Sequence, residues 1–121
     1  MSIQVQTEQM SSYLAARLIG PGALEEALQQ IELIAEHCKL TNNNKLLMDI
    51  TGWEATTPSL VDRFLAAKRL WIFTRYGIKA AFIDTLERMD PKKFGVLVAQ
   101  NRWINIDAFT DFQAAEEWLL K

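Results

Sequence analysis

The chain has 121 residues, of which 50% are hydrophobic and 23% are charged, as expected for one globular domain with a hydrophobic core. Its net charge of −2 gives no general attraction to nucleic acid, which is therefore not an expected partner. No apolar run is long enough to span a membrane, and the single cysteine, Cys38, cannot form an internal disulfide, which favours a reducing cytoplasm.

Two strands and a helix are predicted in the first third of the chain. A short edge strand over 3–6 and a second strand over 13–19 precede a turn at 20–22, Gly-Pro-Gly. From Ala23 to Cys38 apolar residues recur at helical spacing, with glutamates on the other face, which predicts an amphipathic helix.

The segment from Lys45 to Phe64 is the most informative. An apolar strand over 46–50 carries Asp49, and a polar loop leads to Thr57-Pro58. This pair predicts a helix with Thr57 as N-cap and Pro58 at the first helical position, ending at Gly77. Such a junction is where α/β proteins usually keep their working surface.

The rest of the chain alternates strands with helices. A strand is predicted over 78–83, a helix opened by Asp90-Pro91, a strand over 103–108, and a last helix with a capping box of Thr110 and Gln113. The order predicts a single α/β domain over 1–121, a single-layer, mostly parallel mixed β-sheet of four to five strands with about four helices and the N-terminal strands at an edge. Four side chains of the central strands should be buried: Leu46, Met48, Ala81 and Ile83.

The pattern resembles the STAS domain and, more narrowly, the SpoIIAA-like set of small bacterial proteins, named for the anti-sigma-factor antagonist. The segment 47–52, LMDITG, is similar to the family's strand that ends in Asp, an aliphatic residue, Ser or Thr, and Gly. The segments 94–96, 106–109 and 114–119 are similar to its closing pattern. The resemblance spans nearly the whole chain and implies a regulatory protein-interaction module.

The resemblance also identifies a candidate phosphoacceptor. Aligned without gaps from Asp49, Ser59 occupies the family's phosphorylated serine position, while Thr57 and Leu60 replace the acid and the glycine that flank that serine in the family. A phosphate would be favoured at a helix N-terminus and would change a docking surface. The alternative is plain capping by Thr57, with Ser59 an ordinary first-turn residue.

Three carboxylates follow or end predicted strands. Asp49, Asp84 and Asp107 would share one edge of a parallel sheet and could converge on a cation such as Mg²⁺. The alternative, which we prefer, is that each caps a nearby turn, so no metal site and no cofactor are predicted. His37 is the only histidine, and with no nucleophile–histidine–acid set the chain is not expected to be an enzyme.

The helix after Pro58 carries a candidate binding face. Phe64 and Trp71 lie on a broad apolar arc that also contains Lys68, which either snorkels to the rim or marks a seam between a sheet-facing half and a partner-facing half. Trp53 in the preceding loop would be an exposed aromatic anchor. The segment 62–102 has nine basic residues against four acids, and the remainder has four against eleven, which indicates a directional basic surface.

Two functional hypotheses follow. The first is a non-enzymatic regulatory or scaffold module that docks a protein partner through the helix beginning at Pro58; an acidic partner and a homodimer are both compatible with it. Its binding residues are Trp53, Thr57, Ser59, Phe64, Lys68 and Trp71. The alternative is a binding protein for a small apolar or lipid-like ligand, which the resemblance of STAS topology to the SEC14 lipid-binding domains implies. Its cavity would be lined by Phe64, Trp71, Phe82 and Phe94 with Lys68 at its mouth.

Overall fold

The computed structural model describes residues 2–55, 59–89 and 92–121. The predicted helix starts at Thr57-Pro58 and Asp90-Pro91 lie outside the described residues. The described elements are, in chain order, β1 (Gln4–Gln9), β2 (Leu14–Pro21), α1 (Leu24–Leu40), β3 (Lys45–Glu54), α2 (Leu60–Arg69), α3 (Trp71–Tyr76), β4 (Lys79–Ile83), α4 (Phe94–Gln100), β5 (Ile106–Phe109) and α5 (Phe112–Leu119).

The five strands form one mixed sheet in the order β1-β2-β3-β4-β5. β1 pairs antiparallel with β2, and each later pair is parallel. The prediction of a mostly parallel mixed sheet with the N-terminal strands at an edge is confirmed. All six side chains of β1 are exposed, so this edge strand contributes backbone pairing rather than core.

Two hydrophobic clusters lie on opposite faces of the sheet. On one face, residues of α1 to α4 pack against alternate strand residues such as Leu46, Met48 and Ala80. On the other face, Ala115 and Leu119 of α5 pack against the intervening strand residues. The predicted burial of Leu46, Met48, Ala81 and Ile83 is confirmed, because β3 and β4 are covered on both faces.

The predicted single helix from Pro58 to Gly77 is two helices. α2 ends at Arg69, Leu70 forms a turn, and α3 continues from Trp71. The predicted end at Gly77 is confirmed, since this glycine has a left-handed φ of 66°. No helix in the described ranges is both long and apolar enough to cross a membrane.

α4 begins at Phe94 with Lys93 at its N-cap, and the predicted start at Asp90-Pro91 lies outside the described residues. Two other predicted boundaries are corrected. α5 is capped by Asp111, whose carboxylate accepts a hydrogen bond from the Ala114 amide at 3.0 Å, and not by the predicted box of Thr110 and Gln113. β5 begins at Ile106, because Trp103 belongs to the turn after α4.

Candidate functional site

Ser59 is the N-cap of α2. Its hydroxyl oxygen accepts a hydrogen bond from the Asp62 amide at 3.0 Å, and the Asp62 carboxylate accepts one from the Ser59 amide at 3.1 Å. This reciprocal capping box satisfies two donors that the helix itself leaves free, so the helix begins at Leu60. The interpretation of Ser59 as an ordinary first-turn residue is therefore wrong, and Thr57 lies outside the described residues.

α2 and α3 carry exposed apolar side chains, and α2 also carries an exposed lysine. Val61, Leu65 and Trp71 are 67%, 51% and 52% exposed, and Phe64 is half-buried beside them. Lys68 is exposed, with its Nζ 5.6 Å from the centroid of the Phe64 ring. The lysine reaches solvent past an aromatic ring, as the snorkelling alternative predicted.

The end of α4 completes this surface. The guanidinium carbon of Arg102 lies 5.2 Å from the centroid of the Phe64 ring, so two cations lie close to one aromatic ring. The Thr74 hydroxyl of α3 donates a hydrogen bond to the Trp103 carbonyl at 3.1 Å. We call the set Val61, Phe64, Leu65, Lys68, Trp71, Arg102 and Trp103 the α2–α4 surface. The sequence analysis missed Arg102 and Trp103, because residue 103 was assigned to a strand.

Two further arginines hold α2 in place. Arg69 makes ion pairs with Glu25 and Glu32 of α1, each at 2.6 Å, and the hydrogen bond from Arg69 lowers the pKa of Glu25. Arg63 donates a hydrogen bond to the Arg88 carbonyl. Lys68 and Arg102, by contrast, make no ion pair with an acid of the described residues. The α2–α4 surface therefore carries two cations that pair with no described acid.

Trp53 is not part of this surface. It lies within β3, is only 5% exposed, and donates a hydrogen bond from Nε1 to the Gly22 carbonyl at 2.9 Å. A β-bulge explains this burial: Arg17 pairs with Asp49 but Ile19 pairs with Gly52, so between these two pairs β3 has one residue more than β2. That extra residue reverses the alternation of faces and turns Trp53 into the core. The predicted exposed loop position is wrong.

Arg88 is a buried residue that the sequence analysis missed. Its guanidinium binds Asp84 at 2.8 Å and donates hydrogen bonds to the carbonyls of Ile50 and Trp53. The guanidinium carbon also lies 4.9 Å from the centroid of the Trp53 ring. One side chain thus ties the loop after β4 to the end of β3. No sequence pattern around Arg88 distinguishes it from a solvated loop arginine.

Two solved structures have this arrangement of strands and helices. An anti-sigma factor antagonist from Mycobacterium paratuberculosis matches with a TM-score of 0.66 and 11% identity, over 99% of this chain and 96% of that chain. An uncharacterised protein from Shewanella loihica, described as having a SpoIIAA-like fold, matches with a TM-score of 0.56 and 21% identity, over 98% of this chain and 94% of that chain. This chain has the SpoIIAA-like fold. No protein-family model matches the sequence, and no curated protein does.

The three strand-end acids of this SpoIIAA-like sheet do not converge. Asp49 pairs with Arg17 at 3.6 Å and accepts a hydrogen bond from the Thr51 hydroxyl, on the face of the sheet that α5 partly covers. Asp84 pairs with Arg88, and Asp107 pairs with Lys93 at 3.0 Å. Within the described ranges, no three residues of metal-binding type form a cluster.

The SpoIIAA-like core has a cavity of about 160 Å³ between α2 and the sheet. Its lining is mainly apolar, with Arg63, Lys93, Asp84 and Asp107 as its charged residues, and Phe82 is on its wall. Phe64, Trp71 and Lys68 do not line this cavity, contrary to the prediction: Phe64 packs against the core cluster elsewhere, and Trp71 and Lys68 are exposed. The side chain of Phe94 lies outside the described residues.

The remaining candidate groups lie on α1. His37 is exposed in the last turn, and Cys38 is buried in the core, where burial raises the pKa of its thiol to about 11. A thiol with so high a pKa is a weak nucleophile at neutral pH.

Proposed function

We propose that this chain is a non-enzymatic regulatory module that docks an acidic protein partner through the α2–α4 surface. The observation that carries the proposal is the combination of two exposed tryptophans, Trp71 and Trp103, with two cations, Lys68 and Arg102, that pair with no described acid. Aromatic residues and arginine contribute most of the energy of protein interfaces, and complementary charge speeds encounter. The anti-sigma factor antagonist with the same fold supports a regulatory role by analogy.

Ser59 is the point at which we propose that docking is regulated. It is exposed, caps α2, and lies two residues before Val61, the first residue of the α2–α4 surface. A phosphoryl group there would add negative charge to the rim of a basic surface and oppose an acidic partner. It would also lie beside the Asp62 carboxylate, so phosphorylation would weaken the capping box as well.

The test is a quantitative pull-down from the native cell with Trp71→Ala and Lys68→Glu as baits. Both variants should lose, by at least tenfold, the proteins that wild type recovers, since truncation of an aromatic anchor typically costs about 2 kcal/mol of binding or more. Ser59→Asp should reduce the same proteins in the same direction.

Leu33→Ala is the matched control. Leu33 is 56% exposed on α1, outside the α2–α4 surface, so this variant should recover the wild-type set of proteins. Equal recovery by wild type, Trp71→Ala and Lys68→Glu would reject docking through this surface.

A second candidate function is the binding of a small apolar ligand beneath α2. The observation that favours it is the apolar cavity, with an adjoining cavity of about 160 Å³ that shares Ile50, Leu70 and Phe82 as lining residues. Native mass spectrometry of protein purified from its own cells should then show a bound apolar molecule that is absent from Ala67→Phe, because Ala67 lines the first cavity and a larger side chain would fill it. If wild type and Ala67→Phe both show only the mass of the unliganded protein, this function is rejected.

A further inference from the structure

Trp103 has a backbone conformation that normally selects glycine. After α4, the Trp103 amide donates a hydrogen bond to the Gln100 carbonyl and the Ile104 amide to the Ala99 carbonyl, each at 3.0 Å. These two bonds form a Schellman motif. The left-handed residue of this motif is the one whose amide donates the first of these bonds, here Trp103, which has a φ of 64°. A bulky side chain is strained there because its Cβ crowds the backbone.

Two other helices of this chain end in the same motif. Asn42 follows α1 with a φ of 59°, and Gly77 follows α3 with a φ of 66°. Glycine and asparagine are the residues that tolerate this conformation best. Trp103 is thus the exception among the three, and its strain calls for a separate explanation.

Packing does not compensate for the strain at Trp103. The residue is 87% exposed, the most exposed of the large hydrophobic residues of the described chain. An indole ring held in water on a strained backbone contributes little to the stability of the isolated domain. An exposed and strained tryptophan of this kind is better explained by binding than by stability of the isolated domain.

The charged groups around Trp103 are basic. Arg102 precedes it and approaches Phe64, where Lys68 also lies. Trp103 also borders a groove of about 340 Å³ whose lining includes Lys45 and Lys79. Lys45 makes no ion pair with a described acid, whereas the Lys79 ammonium donates a hydrogen bond to the Trp118 carbonyl of α5 at 2.8 Å. The chemistry that complements an exposed indole among such cations is an acidic segment with an apolar side chain.

We infer that Trp103 is the anchor of the docking surface and that its occupant is an acidic protein segment carrying an aliphatic or aromatic side chain, which packs on the indole. The inference rests on the proposed function and moves the centre of binding from the start of α2 to the end of α4. The chain keeps a strained residue at a helix end because the ring is buried in the complex.

The first measurement is thermal unfolding of Trp103→Gly and Trp103→Asn. Both residues accept the left-handed conformation, so Trp103→Gly should unfold about 3 °C above wild type, and Trp103→Asn at or above it. The glycine variant is thereby expected to fold, which makes it a suitable bait. A lower midpoint for both variants would overturn the inference that Trp103 is strained.

The second measurement is the selection of a phage-displayed library of random 12-residue peptides on wild type, with each selected peptide re-measured on Trp103→Gly. Selected peptides should be rich in Asp and Glu, should contain Leu, Phe or Trp, and should bind Trp103→Gly at least tenfold more weakly. Leu33→Ala should bind them as wild type does.

Each contrary outcome has a defined meaning. Acidic peptides that bind Trp103→Gly normally but fail on Trp71→Ala and Lys68→Glu would reject the anchor and leave the proposed docking function intact. Peptides that bind all these variants equally would reject both. Three other results would overturn the inference, because each would indicate an occupant other than an acidic segment. They are selected peptides without acidic residues, a dimer in sedimentation that Trp103→Gly abolishes, and binding to phosphatidylglycerol vesicles that Trp103→Gly abolishes.

Discussion

Arg88→Met should lower the free energy of unfolding by about 3 kcal/mol or more, because it removes one partner of a buried ion pair. The substitution leaves the Asp84 carboxylate without its cation and the carbonyls of Ile50 and Trp53 without their donor. Unsatisfied buried polar groups cost free energy that the apolar methionine does not recover. Urea unfolding followed by circular dichroism measures the loss.

Arg17→Met is the matched control for Arg88→Met. Arg17 also pairs with an aspartate, Asp49, but its side chain is 57% exposed and the atoms are 3.6 Å apart. Exposed ion pairs contribute about 0–1 kcal/mol, so this variant should unfold close to wild type. Equal urea midpoints for Arg88→Met and Arg17→Met would show that the buried guanidinium does not hold the loop to β3.

Trp53→Ala should lower the free energy of unfolding by about 3–5 kcal/mol, the usual cost of truncating a buried aromatic side chain to alanine. The ring fills the core beneath the bulge in β3, and its Nε1 is bonded to the Gly22 carbonyl. Trp53→Phe keeps most of the packing and should lose less. The measurement is again urea unfolding.

Trp71→Ala provides the contrast for Trp53→Ala. Trp71 is half exposed on α3, so its truncation should change the free energy of unfolding by about 0.5 kcal/mol or less. Because Trp53 and Arg88 are in contact, Arg88→Met combined with Trp53→Ala should cost less than the sum of the two single changes. Additive losses would show that the two side chains act independently.

Most of the sheet could be predicted because its strands obey simple rules. The segment of β4, KAAFI, is a short apolar run between a glycine turn and an aspartate, which is typical of a strand buried on both faces. The helices between the strands then require parallel crossovers. Local composition and alternation decide these features, so no long-range information is needed.

Features that depend on distant residues could not be predicted. The burial of Trp53 follows from an extra residue in β3 relative to β2, which no pattern within β3 alone reveals. The burial of Arg88 depends on carbonyls of another strand. Helical periodicity placed Phe64, Lys68 and Trp71 on one face, but Arg102 joins them only through the packing of α4 against α2.

β1 has a consequence for how sequences of this fold can diverge. Its six side chains are all exposed, so most substitutions there need only to keep an extended backbone paired with β2; Gln9, whose amide hydrogen-bonds to Asn43, is the exception. In β4 four of the five residues are buried, and each replacement must suit neighbours on its face of the sheet. Related chains should therefore drift fastest at the first strand and slowest at the fourth, even though the two strands belong to the same sheet.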